Sequence, residues 1–430
     1  VNSAPPPAGV ALAQVLDAAA RIVARVAAGK SLSAEMDRAA DERTAAPRPA
    51  LIDVTHGTLR RYGRSQAIVR ALARQSHTDP LVEALLWCAL YLLESGRHAQ
   101  YTVVDQAVRA CGLLEKWASK GFVNALLRRF LREQKLIEAR LQDELPARYQ
   151  HPLWWIELLR EAYPDGWTGV LNAGNLHPPM CLRVNRRRAD PDLMRDRLVA
   201  AGLPAARVGS VGLLLETPVP VDRLPGFAEG ELSVQDAAAQ RAVDCLDLRA
   251  GQRVLDACAA PGGKSAHILE AEDVALTALD IDAERCARIA RNLDRLGLVA
   301  RVHNADCLEL SPWWDGRSFD RVLADVPCSS SGVVRRHPDI KWIRRPADVA
   351  AFATKQARLL DGLWRVLAHD GKLLYVTCSV FPQENDAVIE AFLRRAPDAQ
   401  RLRLPAGIRA QCLPDAQHDG FFFALLQKRG

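Results

Sequence analysis

The sequence predicts a multidomain chain: an all-α helical bundle over residues 1–150, a small α/β linker module over 151–235, and an α/β domain with a doubly wound, mostly parallel sheet over 236–430. Three observations predict it. Apolar residues recur at helical spacing through the first 150 residues, with no strand-like alternation. Prolines then cut the chain into short pieces. Beyond 236, short apolar runs alternate with helical ones, as buried parallel strands alternate with their crossover helices.

Taken in order, helical periodicity covers Val10 to Val26, Leu51 to Leu72, Asp79 to Glu94, Tyr101 to Cys111 and Ser119 to Leu131. Thr78-Asp79-Pro80 reads as a helix start, with Pro near the first turn. Ala46 to Pro49 reads as a loop because Pro47 and Pro49 flank Arg48. In the second segment, Pro178-Pro179, Pro191, Pro204, Pro218, Pro220 and Pro225 separate a strand at Cys181 to Val184, a helix at Asp192 to Ala201 and a strand at Val211 to Glu216. The third segment predicts strands at Arg253 to Cys258, Val274 to Asp280, Ala300 to Asp306, Phe319 to Val326 and Lys372 to Thr377. Helices fill the gaps at Lys264 to Ala271, Ala283 to Leu296 and Ala347 to Leu367. Apart from Pro5-Pro6-Pro7 there is no low-complexity tract.

With 49% hydrophobic and 25% charged residues, the composition is that of a globular protein and excludes collagen, coiled coil and wholesale disorder. The apolar run Leu81 to Leu93 contains Glu83 and is too short to span a bilayer. Asp17 interrupts the first apolar stretch, and no basic region precedes it, which argues against a signal peptide. Ten cysteines with no Cys-x-x-Cys pair make neither a disulfide scaffold nor a zinc ribbon, so reduced thiols, a cytoplasmic location and no metal are expected. The formal charge divides as +6 over 1–150, −1 over 151–235 and +1 over 236–430. A basic module joined to a near-neutral one suggests an anionic partner held by the first and processed by the second, although +6 also suits a plain solvated surface.

The chemistry-bearing motifs all fall at predicted strand ends. Asp256-Ala257-Cys258-Ala259-Ala260-Pro261-Gly262-Gly263-Lys264 follows a strand and opens a helix. Its adjacent glycines allow close backbone approach to a ligand, and the helix N-terminal amides can meet a carboxylate or hydroxyl. The spacing fits neither a P-loop nor G-x-G-x-x-G. Asp280 ends the next strand, 24 residues after Asp256, where an acid commonly accepts hydrogen bonds from a ribose diol. Asp306 ends the third strand, within reach of an adenine edge. Three acids on three strand ends suit an adenosine cofactor without phosphates, and S-adenosylmethionine fits better than NAD or ATP. Asp325-Val326-Pro327-Cys328-Ser329 closes the fourth strand. Thr377-Cys378-Ser379 closes the fifth, followed by Pro382-Gln383-Glu384-Asn385. Carbon 5 of cytosine is too poor a nucleophile to take a methyl group, and a thiolate adding to carbon 6 activates it. A carboxyl beside ring nitrogen 3 assists. Chemistry alone allows either cysteine to attack.

Pro261-Gly262-Gly263-Lys264, Asp325-Val326-Pro327-Cys328-Ser329 and Thr377-Cys378-Ser379 together resemble the RNA cytosine-5 methyltransferases of the NOL1/NOP2/Sun group. Gly230-Glu231-Leu232-Ser233-Val234-Gln235-Asp236 and His418-Asp419-Gly420-Phe421-Phe422 also fit that family. Residues 121–129, Gly-Phe-Val-Asn-Ala-Leu-Leu-Arg-Arg, and the helical rhythm before them resemble the NusB family of RNA-binding bundles. The combined resemblance is to bacterial enzymes acting on 16S ribosomal RNA. It implies a Rossmann-like class I methyltransferase domain and S-adenosylmethionine as cofactor, with a monomer expected and no membrane partner. It further implies Cys378 as the attacking cysteine, Cys328 as the one that assists product release and Asp325 as the acid holding the cytosine. The cofactor contacts it implies are Cys258, Ala259, Ala260, Pro261, Gly262, Gly263, Lys264, Asp280, Asp306 and Asp325.

Two other readings compete. A non-catalytic RNA-binding or ribosome-assembly factor with a relic pocket would not need both Cys328 and Cys378. A DNA cytosine-5 methyltransferase is disfavoured by the Thr-Cys-Ser cysteine and the RNA-type helical module. Phe122, Val123, Leu126 and Leu127 read as a core face, leaving Arg128 and Arg129 towards solvent and phosphate. Arg186-Arg187-Arg188 reads as a basic turn. Arg335 and Arg336, beside His337, read as a loop presented to RNA phosphate. Cys88, Cys111, Cys245 and Cys286 read as buried filler.

Overall fold

The computed structural model describes residues 12–42, 46–73 and 79–430. Val10, Thr78 and the Pro5–Pro7 tract lie outside the described residues. The chain divides into two compact units, one of residues 1–177 with Val334–Pro346, the other of Pro178–Val333 with Ala347–Gly430. No helix among the described residues is long and apolar enough to cross a membrane.

In the first unit the main helices are Leu12–Ala27, Leu32–Asp41, Arg48–Arg60, Tyr62–Leu72, Pro80–Ser95, Gln100–Leu113 and Lys120–Leu141; shorter helices follow to Asn175. Leu12–Ala27 buries Val15, Leu16, Ala19, Ala20 and Val23, the stripe its 3.6-residue period dictates. Pro80–Ser95 is apolar on nearly every side and lies buried from Ala84 to Leu93. Asp79 caps it by accepting from the Leu81 and Val82 amides, and Gly96 at φ +66° ends it in the left-handed region.

Three expectations need correction here. Ala46 to Pro49 is not loop throughout: Arg48 and Pro49 already belong to a helix, because a first-turn proline forfeits no intrahelical hydrogen bond. The single helix expected over Leu51 to Leu72 breaks at Arg61 (φ −106°). Gly63, just past the break, packs so closely that a Cβ there would stand 2.6 Å from the Pro146 carbonyl oxygen. Arg335 is 1% exposed, and its carbonyl accepts from Arg60 at 2.9 Å. Nearby, Trp342 anchors the segment through its indole N–H to the Leu59 carbonyl (2.8 Å) and Asp339 through the Leu32 amide (2.9 Å). That segment is therefore core, and Arg335 is not offered to RNA. Val123, Leu126 and Leu127 are buried and Phe122 half-buried, as the core-face reading requires. Arg128 is exposed, whereas Arg129 is bonded to Glu133 and the Leu72 carbonyl.

The second unit holds two sheets. The smaller contains β1 (Met180–Val184), β2 (Ala205–Val208), β3 (Gly212–Leu215) and β4 (Leu232–Val234), antiparallel in the order β2-β3-β1-β4. The helix Pro191–Ala200 lies between β1 and β2, capped by Asp190. The larger sheet is built from β5 (Arg253–Asp256), β6 (Ala275–Asp280), β7 (Arg301–Asn304), β8 (Phe319–Asp325), β9 (Leu367–Thr377), β10 (Ala399–Arg401), β11 (Gln411–Cys412) and β12 (Phe421–Lys428). Its order is β10-β12-β9-β8-β5-β6-β7, with β11 paired to β12. β5 to β9 run parallel, as expected, and β12 runs antiparallel to β9, making the sheet mixed. β5 is flanked by β6 on one side and β8 on the other, so the winding reverses there, the switch point at which open α/β sheets bind ligands.

The small sheet is tied to the large one by a buried ion pair. Arg183 of β1 and Glu270 of the helix Gly263–Ala271 have side chains 0% and 3% exposed, joined at 2.7 Å. Arg183 also donates to Gln235 Oε1 and to the Gly263 carbonyl, each at 2.7 Å. Arg186 to Arg188 form an exposed turn, but Arg188 is held by the Glu229 and Leu296 carbonyls.

Candidate active site at the strand ends of the parallel sheet

β5 ends at buried Asp256, and the chain turns through Cys258 to Gly263 before the next helix. The turn is pinned on both sides: the Ala257 amide donates to the Leu323 carbonyl (2.9 Å) and the Ala259 amide to that of Leu279 (2.8 Å). Gly262 has φ +94°, with Ile289 Cα 3.2 Å from where a Cβ would stand, so only glycine fits. Asp256 accepts the Ser265 hydroxyl at 2.6 Å, while its other oxygen is buried without a partner. Burial first, then the Asp325 and Asp280 charges, push its carboxyl up to about 7, against the pull of Ser265 and Lys264.

Asp280, at the end of β6, accepts the Ala260 amide (3.3 Å) and the Asp282 amide (3.1 Å). Asp306 lies two residues past the end of β7 and accepts the Leu308 amide at 2.9 Å. Asp325 is the last residue of β8, and its Oδ2 takes Lys264 Nζ at 2.5 Å. Burial lowers the Lys264 ammonium, but Asp325 outweighs it and holds the group above its ordinary value. Cys258 is half-buried, and its thiol is pushed up by a hydrogen bond with Cys307 and by burial. The unsatisfied oxygen of Asp256 and the carboxylates at successive strand ends fit S-adenosylmethionine. The carboxylates are acceptors for hydroxyls and an ammonium, which a phosphate would not meet here.

The two candidate catalytic cysteines meet. β8 and β9 pair in parallel with Asp325 opposite Val376. Their following turns bring Cys328 Sγ and Cys378 Sγ to 3.4 Å. Cys328 is buried and Cys378 half-buried. The hydrogen bond from Cys328 lowers the Cys378 thiol below its ordinary value, against the effect of burial, and Ser330 and Lys264 act in the same direction. The Cys328 thiol is correspondingly raised, by that bond and by burial.

Beneath the thiols is a centre with no role assigned from sequence. Glu384 is fully buried and accepts from the Ser329 amide (2.7 Å), the Ser329 hydroxyl (2.5 Å), the Ser379 hydroxyl (2.7 Å) and Gln356 Nε2 (3.2 Å). Each serine directly follows one of the two cysteines, so one carboxylate ties both turns. Burial raises the Glu384 carboxyl, and these donors oppose it. The signal in the sequence is the repeated Cys-Ser and the acid five residues after Ser379. A second support comes from the C-terminal hairpin. The Gly420 amide donates to the Gly332 carbonyl (2.9 Å), and the Asp419 amide donates to Asp236. A Cβ on Gly332 would stand 2.2 Å from the Gly420 oxygen, so the crossing needs glycine. Cys88, Cys111, Cys245 and Cys286 are buried, as expected.

The model of the 16S rRNA methyltransferase RsmB/F family matches residues 243–427, a ferredoxin-like domain of RsmF/B-like methyltransferases matches 151–222, and the NusB family matches 13–132. A protein of Pseudomonas syringae pv. tomato named ribosomal RNA small subunit methyltransferase B is 42% identical, over 96% of each chain. Its namesake in Pseudomonas putida is 43% identical, over 96% of this chain and 98% of its own. The crystal structure of PH0851 superposes with a TM-score of 0.80 at 23% identity, over 99% of each chain, and so shares the fold. With the identity to the Pseudomonas proteins sustained along almost the whole sequence, and the family's motifs gathered on one edge of the sheet, the chain belongs to the 16S rRNA methyltransferase RsmB/F family.

Proposed function

We propose that this chain methylates carbon 5 of a cytosine in 16S ribosomal RNA through a transient bond between Cys378 and carbon 6 of the base. The observation that carries the reading is the pair of thiols 3.4 Å apart beside the Lys264–Asp325 pair. The relatives are named for small-subunit ribosomal RNA, which supports the substrate. The cofactor is S-adenosylmethionine, which supplies the electrophilic methyl group when bound. The turn Cys258–Lys264, with Asp280, Asp306 and Asp325, holds it.

Cys378 attacks because it is the more exposed thiol and the one held low by its neighbours. Its addition to carbon 6 puts electron density on carbon 5. Asp325 gives one oxygen to Lys264, and its other oxygen accepts from ring nitrogen 3 once that nitrogen has taken a proton from water as carbon 6 is attacked, a proton it gives back on elimination. Cys328, having given its proton to water while Cys378 is bonded to the base, then takes the proton from carbon 5; the electron pair left there re-forms the 5,6 double bond, the bond from sulfur to carbon 6 breaks, and the Cys378 thiolate returns. The base must leave any stack to reach these thiols.

The test is a crosslink. RNA carrying 5-fluorocytosine, which lacks the carbon-5 proton, should trap the wild-type chain and Cys328→Ala but not Cys378→Ala. On ordinary RNA, Cys328→Ala should accumulate the adduct. The reverse pattern makes Cys328 the nucleophile, and no adduct from any protein removes the covalent route.

A further inference from the structure

The helical unit contains a polar cavity of about 620 Å³, within the range of small-ligand pockets. Arg60, Arg61 and Arg64 line it, and among the described residues Glu94 is the one carboxylate on its wall. Arg61 and Arg64 share Glu94 at 3.4 and 2.7 Å. Arg60 is different. Its Nη2 donates to the Arg335 carbonyl, its Nε is buried with no partner, and no carboxylate among the described residues pairs with it. Asp53, whose charge reaches it, is already paired with Arg97 at 2.8 Å. Next to it, Lys341 is 0% exposed and donates to neutral oxygens, the Arg60 carbonyl (3.2 Å) and Asn175 Oδ1 (2.9 Å). Half-buried Arg60 and wholly buried Lys341 thus stand side by side without a paired carboxylate among the described residues, an arrangement that an anion in the cavity would relieve.

Burial lowers the proton affinity of both groups, as this isolation requires. A guanidinium on a cavity wall suits a phosphate, which it can hold by charge-assisted bonds. The remaining walls include the neutral amides Gln150 and Asn175, and the space exceeds what a lone phosphate needs. We propose that this cavity is a subsite for one backbone phosphate and its nucleotide in single-stranded RNA, seated on Arg60 and flanked by Arg61 and Arg64. The proposal rests on the reading of the chain as an RNA methyltransferase and adds a second place where that RNA is held.

The experiment uses the full chain and a fluorescent single-stranded 20-mer of 16S RNA sequence, with affinity read by anisotropy over a salt series. Arg60→Gln should weaken binding roughly fivefold to tenfold and make the log–log salt slope shallower by about 0.7, the change expected when one phosphate is no longer neutralised. Glu94→Gln, which removes the wall's negative charge, should strengthen binding about threefold. A purely structural role would weaken it instead. Wild-type affinity and slope in Arg60→Gln, or weaker binding by Glu94→Gln, overturn the subsite. If Arg60→Gln does not fold, the sign of the Glu94→Gln effect decides alone. A wild-type chain that binds this RNA with the expected variant effects, yet methylates no ribosomal RNA, overturns the methyltransferase reading and leaves the subsite standing.

Discussion

Replacing Glu270 by alanine isolates the Arg183 guanidinium in the interior. Arg183 is held by Glu270 through Nε and Nη2 at 2.8 and 2.7 Å, with both side chains almost wholly buried. Both side chains are shut off from solvent, so on this reasoning the charge loses its partner without regaining hydration. Breaking such a pair from one side costs about 3–5 kcal/mol. For a unit of this size, at roughly 2–4 °C per kcal/mol, melting should fall by about 6–20 °C. The double replacement Arg183→Met with Glu270→Leu removes both charges and should recover most of the loss. Arg183 also holds the Gly263 carbonyl. Its removal should therefore weaken S-adenosylmethionine binding even where stability is restored. Thermal unfolding of the ligand-free chain and calorimetric titration with S-adenosylmethionine measure the two effects. A melting point for Glu270→Ala within about 2 °C of wild type would refute the reasoning, since it would mean water or another group solvates Arg183.

Asp256, raised to about 7 in the folded chain, keeps its proton where the unfolded chain has lost it. Its contribution to stability is full below about pH 4 and is lost as pH rises through 7. Relative to wild type, Asp256→Asn should therefore gain stability across that window in urea titrations at successive pH values; a constant difference would count against the shift. The lowered Cys378 thiol should react with iodoacetamide at lower pH than a free cysteine does, and Cys328→Ala, which removes the donor, should move that profile upward. An unmoved profile would mean that Cys328 does not donate. Glu384→Ala should leave the Ser329 and Ser379 hydroxyls and the Ser329 amide without this acceptor and cost about 2–4 kcal/mol, with a matching loss of crosslinking rate; Glu384→Gln should recover part of both.

Residues whose role is set by the end of a strand are legible in the sequence. Asp280 and Asp325 are the last residues of their strands, where the apolar runs Ala278-Leu279 and Val322-Leu323-Ala324 stop and the chain leaves the buried sheet. Roles that depend on convergence are not legible. Nothing in Ser329 and Ser379, fifty residues apart, announces that both hydroxyls reach Glu384. The helix Leu32–Asp41 has a short apolar stripe, Leu32, Met36 and Ala39, masked in the sequence because Glu35 shares its buried face, paired with Arg25 at 3.0 Å. Arg335 misleads for the opposite reason: a basic run suggests solvent, and only the packed segment around Trp342 shows otherwise.

The crossing of Gly332 and Gly420 has a consequence for the order in which the protein is made. Every motif of the candidate site has been synthesised by residue 385, but β12 and Gly420, which brace the turn after Cys328, emerge later. β12 lies between β9 and β10, so the sheet also lacks an inner strand until then. A nascent chain that displays all its reactive groups is therefore still an open sheet with its thiol turns unbraced. The activity should switch on only when residues 411–428 fold back onto β9.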